Sequence, residues 1–131
     1  MNSLRPGTRY LAATAALLAS SAAALAAIGA HLLARRLSPA ALTSFDTAVA
    51  FQFVNAVGLF AFAWAGERLA APWLARASGW LLAAGILMFS GSIYLASFGV
   101  TREAGPLAPV GGSSIILAWA GLAVAMLRQR R

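Results

Sequence analysis

The chain has 131 residues, 61% of them hydrophobic and only 10% charged, where a soluble domain carries about a quarter charged residues. So few charges do not cover a water-facing surface, and the composition is that of an integral membrane protein. The ten basic residues are all arginine and three acids (Asp46, Glu67, Glu103) oppose them, but they sit at the ends of apolar runs with no basic stripe, which excludes nucleic acid as a partner. The lack of cysteine excludes disulfides, thiolate metal centres and thiol catalysis.

Four stretches carry no formal charge: those between Arg9 and Arg35, Asp46 and Glu67, Arg76 and Arg102, and Glu103 and Arg128. Each is 20 to 25 residues long. An α-helix needs about 20 residues to cross roughly 30 Å of hydrocarbon, and backbone there must bond internally. The expectation is all-α: an antiparallel four-helix bundle forming a single transmembrane domain over residues 1–131, with helices near 10–33, 46–65, 73–98 and 107–127.

Helix 1 is rich in small residues, from Ser20 and Ser21 to Gly29 and Ala30. Small side chains let helices approach closely in lipid, which predicts a central place for it. Its arginine-bearing start and Ala-Leu-Ala near the end also fit a cleaved signal peptide, although the apolar run is long for one. It ends at His31, the single histidine. In the first loop, Ser38-Pro39 predicts the N-cap and first position of a short surface helix reaching about Leu42. Ser44 is expected to cap helix 2, with Asp46 in its first turn, where a carboxylate suits the helix dipole.

Within helix 2, Gln52 and Asn55 are three residues apart and share one face. Amides are costly in hydrocarbon unless paired, so this face should turn inward. Interhelical hydrogen bonding is the plainer role and ligand contact the alternative. Pro72 opens helix 3, where Ser90, Ser92 and Tyr94 gather around Gly91; serine can bond back to its own helix, and the tyrosine hydroxyl suits an interface. Gly105-Pro106 breaks the chain before helix 4. Pro109 and the Gly111-Gly112 pair, followed by Ser113, predict a loosened or kinked first turn whose backbone must be buried or face water.

Seven arginines (Arg5, Arg9, Arg68, Arg76, Arg128, Arg130, Arg131) fall on one side of this arrangement and three (Arg35, Arg36, Arg102) on the other. The positive-inside rule then places both termini in the cytoplasm. His31, Asp46, the end of helix 3 and the start of helix 4 share the outer half. The expected polar cluster, facing the bundle interior, is His31, Asp46, Gln52, Asn55, Ser90, Ser92, Tyr94, Gly111, Gly112 and Ser113. His31 and Asp46 are expected to form a structural hydrogen bond, with a proton-transfer pair as the alternative. A metal centre needs three or four ligands, and one histidine with three scattered acids does not supply them. No serine has a base at plausible spacing beyond that histidine, and no phosphate loop follows a strand. The sequence therefore predicts no catalytic residue, metal or cofactor.

Four segments carry a resemblance: Gly29-Ala30-His31; Phe45-Asp46-Thr47-Ala48 leading to Gln52; Phe89-Ser90-Gly91-Ser92-Ile93-Tyr94; and Pro109-Val110-Gly111-Gly112. Their order and spacing, over residues 27 to about 122, resemble the small four-helix membrane proteins of the domain-of-unknown-function 423 family. That family takes in the bacterial YgdD-like inner-membrane proteins and animal transmembrane protein 256. The resemblance implies a retained first helix and a four-span protein of the bacterial inner membrane; it implies no established activity. Where the family tends to read Tyr-Gln-x-x-His in helix 2, this chain has Phe51-Gln52-Phe53-Val54-Asn55. The departure puts in doubt any shared mechanism that needs two histidines, such as haem or metal ligation or proton relay.

The leading functional expectation is a non-catalytic structural or accessory component, packing in the bilayer as a homo-oligomer or within a larger membrane complex. The alternative is a transporter or binder of a lipid, quinone or other small amphiphile at the outer polar cluster. A membrane oxidoreductase subunit ranks third.

Overall fold

The computed structural model describes residues 3–129, so Arg130 and Arg131 of the arginine count lie outside the described residues. Its helices are α1 (Pro6–His31), α2 (Pro39–Arg68), α3 (Pro72–Ser97) and α4 (Leu107–Leu127). All four are long and apolar enough to cross a membrane. Joined by short connections, they form an all-α, multi-pass membrane bundle with no strand among the described residues.

Proline sets the helix starts. Pro6, Pro39 and Pro72 each occupy the first helical position, and Pro106 is the N-cap of α4. A missing N–H costs nothing there, because the first turn has no intrahelical acceptor for it. The helices also run past the charges that bound the apolar stretches. α2 has 30 residues, a length of about 45 Å, because helical backbone need not stop where hydrocarbon stops. The expected surface helix after Ser38 is therefore the first turn of α2. Ser38 Oγ accepts from the Ala41 amide at 3.2 Å, while Ser44 caps nothing and donates to the Ala40 carbonyl at 3.2 Å. Asp46 lies two turns inside the helix.

At the other end of α3, the Val100 amide bonds to the Leu95 carbonyl (2.9 Å) and the Gly99 amide to that of Ala96 (3.1 Å). This is a Schellman cap, and it needs Gly99 at φ +76°.

α2 and α3 occupy the centre. α1 packs broadly on α2, α2 on α3 and α3 on α4, whereas α1 and α4 scarcely meet. The outer helices accordingly bury one narrow seam each, spaced alternately by three and four residues. In α1 it runs through Thr8, Leu11, Ala15, Leu18 and Ala22; in α4 through Gly111, Ile115, Ala118, Leu122 and Ala125. Such spacing gives knobs-into-holes packing. This corrects the central place expected of helix 1. Ala13, Ala16, Ala23, Ala24, Ala27 and Ala30 are uncovered by protein, because a small side chain permits a close approach without compelling one.

Helix 4 differs from expectation as well. It is helical from Leu107, straight through Pro109, Gly111 and Gly112. Pro109 falls in the first turn, where it is tolerated. Gly111 serves contact rather than bending: a Cβ there would stand 2.8 Å from the Gly85 carbonyl oxygen and 2.9 Å from Phe89 Cα. The backbones of α3 and α4 touch at this point.

Candidate functional site

The buried polar residues of the spans lie in neighbouring turns as one layer, and Gln52 makes most of its interhelical bonds. The side chain is 4% exposed. Its Nε2 donates to the Leu18 carbonyl and to Ser21 Oγ, both at 2.8 Å. Its Oε1 accepts from the Tyr94 hydroxyl at 2.7 Å. One amide thus joins α1, α2 and α3. Ser90 adds a second α3–α2 link by donating to the Ala48 carbonyl at 2.8 Å. Buried Ser92 turns back on its own helix, to the Phe89 carbonyl.

Asn55 carries the layer to α4. Its Oδ1 accepts from Trp119 Nε1 at 2.9 Å, and its Nδ2 donates to the Phe51 carbonyl at 2.9 Å. The indole reaches α2 because residue 58 is glycine: a Cβ there would come within 2.5 Å of the ring. Phe62 meets the same indole edge to face at 5.0 Å.

Other expected members lie outside this layer. His31 and Asp46 are exposed, and neither makes a side-chain hydrogen bond or an ion pair among the described residues. The expected His31–Asp46 pair is therefore not formed. α1 and α2 turn their charged and imidazole side chains outward at the bundle end, where water can solvate them, and turn Gly29 and Phe45 inward. A Cβ on Gly29 would stand 2.7 Å from the Phe45 ring, which is fully buried and stacks obliquely on Tyr94 at 5.3 Å. Ser113 is exposed and bonds only to the Pro109 carbonyl. Gly112 is partly covered by Phe89, and Gly111 is a packing contact. The interior cluster thus keeps Gln52, Asn55, Ser90, Ser92 and Tyr94.

Sequence reasoning missed Ser21 and Trp119 as partners. Ser21 counted there only as a small residue, although serine in an apolar helix is also a donor. It missed a second polar group at the opposite end too. There Thr8 donates to Glu67 Oε2 at 2.7 Å, Arg5 Nε stands 4.0 Å from Glu67 Oε1, and Arg76 Nη2 donates to the Gly66 carbonyl at 2.9 Å. The Arg76 stem fits against Gly7 and Gly66, where a Cβ would meet it at 3.3 and 2.9 Å. This clasp holds the start of α1, the end of α2 and the start of α3 together.

At its centre the layer is saturated. Both N–H groups of Gln52 are engaged and its carbonyl takes the tyrosine proton, so it has no donor left for a ligand. Among the described residues the single buried side-chain polar atom without a partner is Arg76 Nε, at the other end. No three of the His, Asp or Glu side chains among those residues come together as metal ligands.

Residues 25–112 match the family model described as protein of unknown function (DUF423). The chain is 35% identical to the UPF0382 membrane protein YwdK of Bacillus subtilis over 107 residues, covering 82% of this chain and 87% of the relative. It is 32% identical to the UPF0382 membrane protein SERP0230 of Staphylococcus epidermidis, over 86% of this chain and 91% of the relative. It is also 29% identical to the UPF0382 inner membrane protein YgdD of Escherichia coli K12, over 95% of this chain and 94% of the relative. No solved structure matches the chain. The matched stretch contains Gly29, Phe45, Gln52, Asn55, Ser90, Tyr94 and Gly111, while Ser21 and Trp119 fall outside it.

Proposed function

The chain belongs to the DUF423 family of membrane proteins, and on that footing we propose that it is a non-catalytic structural or accessory component of a membrane assembly, as a homo-oligomer or in a larger complex. The observation that carries this reading is the contrast between its inside and its first helix. Most polar side chains within the spans are already bonded, to another helix or to their own backbone, which suits a rigid scaffold better than a site that must bind and release. α1 meanwhile leaves a long alanine- and serine-rich face uncovered, including Ala13, Ala16, Ser20, Ala23 and Ala27. Such faces pack closely against other helices in lipid. Both termini lie in the cytoplasm in this reading, following the positive-inside rule.

The chain has no cysteine, so single-cysteine variants report cleanly. Ala16→Cys and Ala23→Cys should cross-link α1 to a second copy or to one reproducible partner in native membranes. Leu117→Cys, on the uncovered face of α4, should not. A species that stays monomeric and partner-free at native expression would overturn the reading.

A further inference from the structure

Away from the saturated layer, a cavity of about 420 Å³ opens at the end of the bundle that carries the first and third loops. Its walls come from three places: Leu37 just before α2 with Ala41 in its first turn, Ile93 and Ala96 near the end of α3, and Ala104 with Arg102 in the last loop. The volume lies within the roughly 300–1,000 Å³ of small-molecule sites. The cavity is apolar on its sides and cationic at its rim. Ser44 and Ser97 also line it, but their hydroxyl protons go to the Ala40 and Ile93 carbonyls of their own helices. Arg102 is thus the one strong side-chain donor on the wall.

Arg102 makes no hydrogen bond or ion pair among the described residues. Glu103 follows it in the loop and Asp46 lies further along α2, yet neither lines the cavity. Arg35 and Arg36 stand on the same side of the bundle. The depth is equally informative: the walls are the terminal turns of three membrane-spanning helices, where phospholipid phosphates and glycerol backbones sit. A guanidinium matches a phosphate with two parallel N–H···O bonds, and the apolar wall beneath it suits the upper methylenes of acyl chains.

We infer that this cavity seats the headgroup of an anionic phospholipid, with its phosphate on Arg102 and its glycerol and first methylenes against Leu37, Ile93 and Ala96. The inference is independent of the accessory role and would stand if that role failed. α4 reinforces it: no side chain caps its first turn, and Ala108 from that turn lines the wall, so the positive end of the helix dipole adds to the arginine.

The test uses the full chain in nanodiscs holding equal amounts of phosphatidylglycerol and phosphatidylcholine, with lipid that stays bound after mild detergent release counted by native mass spectrometry. Phosphatidylglycerol should be retained over phosphatidylcholine. Arg102→Gln should lower that retention roughly tenfold or more, because a neutral amide with one donor nitrogen replaces a charged, two-bond contact. Ala41→Trp, which fills the cavity and keeps the charge, should lower it too, while Arg128→Gln at the opposite end should leave it unchanged. Arg102 is exposed and unpartnered, so Arg102→Gln should match the wild type in thermal unfolding. Equal retention of the two lipids, or an Arg102→Gln protein that binds like the wild type, overturns the inference. So does an equal loss in Arg128→Gln, which would mean diffuse charge. Displacement of the lipid by millimolar inorganic phosphate would also overturn it, by making a soluble anion the ligand.

Discussion

Replacing Gln52 by leucine tests the polar layer most directly. Leucine is somewhat larger than glutamine, so the substitution opens no cavity, and its main effect is the loss of the hydrogen bonds. Three interhelical bonds are lost: to the Leu18 carbonyl, to Ser21 Oγ and from the Tyr94 hydroxyl. Such bonds in membrane bundles average about 0.6 kcal/mol, so Gln52→Leu should cost about 2 kcal/mol. Tyr94→Phe removes only one of the three and should cost about 0.6 kcal/mol. Combined, the two should cost less than the sum of the singles, because the Gln52–Tyr94 bond can be lost only once. Equilibrium unfolding in mixed micelles of rising SDS content, followed by the fluorescence of the four tryptophans, measures all three. Leu17→Ala, on the uncovered face of α1, serves as the control and should stay within about 0.5 kcal/mol of wild type. If Gln52→Leu unfolds at the wild-type SDS fraction or above it, the layer does not hold the helices and the reasoning fails.

Three further outcomes are expected. Gly111→Ala should destabilise by about 1–3 kcal/mol by forcing α3 and α4 apart, and more than Gly29→Ala, because the added methyl meets fixed backbone at residue 111 and a movable Phe45 ring at residue 29; the same SDS titration decides the order. Asn55→Leu loses a single interhelical bond, the one from Trp119, so it should cost about 0.6–1.7 kcal/mol and rank below Gln52→Leu; the reverse ranking would remove Gln52 from the centre of the layer. Cysteines at Ala40 and Ala104 should react with a membrane-impermeant maleimide added from outside the cell, and labelling only after the membrane is opened would invert the proposed orientation.

The four spans were legible because charge is so sparse. A stretch of 20 to 25 uncharged residues has few fates other than crossing a bilayer, and the first-position prolines mark where three of the helices begin. Their true lengths were less legible, since Asp46 and Glu67 interrupt the apolar run without interrupting the helix. Gln52 and Asn55 had to face inward, because amides are costly in hydrocarbon, and they do. Their partners could not be read. Whether Gln52 finds Ser20 or Ser21 depends on how α1 is rotated and how far it slides along α2, which the connection through Leu33–Arg35 fixes in three dimensions. His31 and Asp46 misled for a related reason. Proximity at one end of a bundle says nothing about direction, and charged groups near water gain more from solvation than from an interior pair. The glycines misled differently: Gly111-Gly112 looks like a weak point along the chain and is a contact point across it.

These contacts also account for why the helices settle in one register. Apolar helices gain no hydrophobic energy by associating in lipid, since the tails they displace are as apolar as leucine. The seam of α1, in which small residues alternate with leucine, can therefore slide along α2 by a turn at small cost in packing. A slide of one turn, about 5.4 Å, would carry Ser21 past Gln52 and cost the amide its one side-chain partner on α1. On the far side it would pull Gly29 off the Phe45 ring and leave Thr8 short of Glu67. Each slip thus breaks contacts at the middle and at both ends of α1 together. α4 is held by the same logic, through the Trp119–Asn55 bond and the backbone contact at Gly111. Because Gln52 and Asn55 both project from α2, that helix sets the position of the other three, and the polar residues act chiefly by making every other alignment costly.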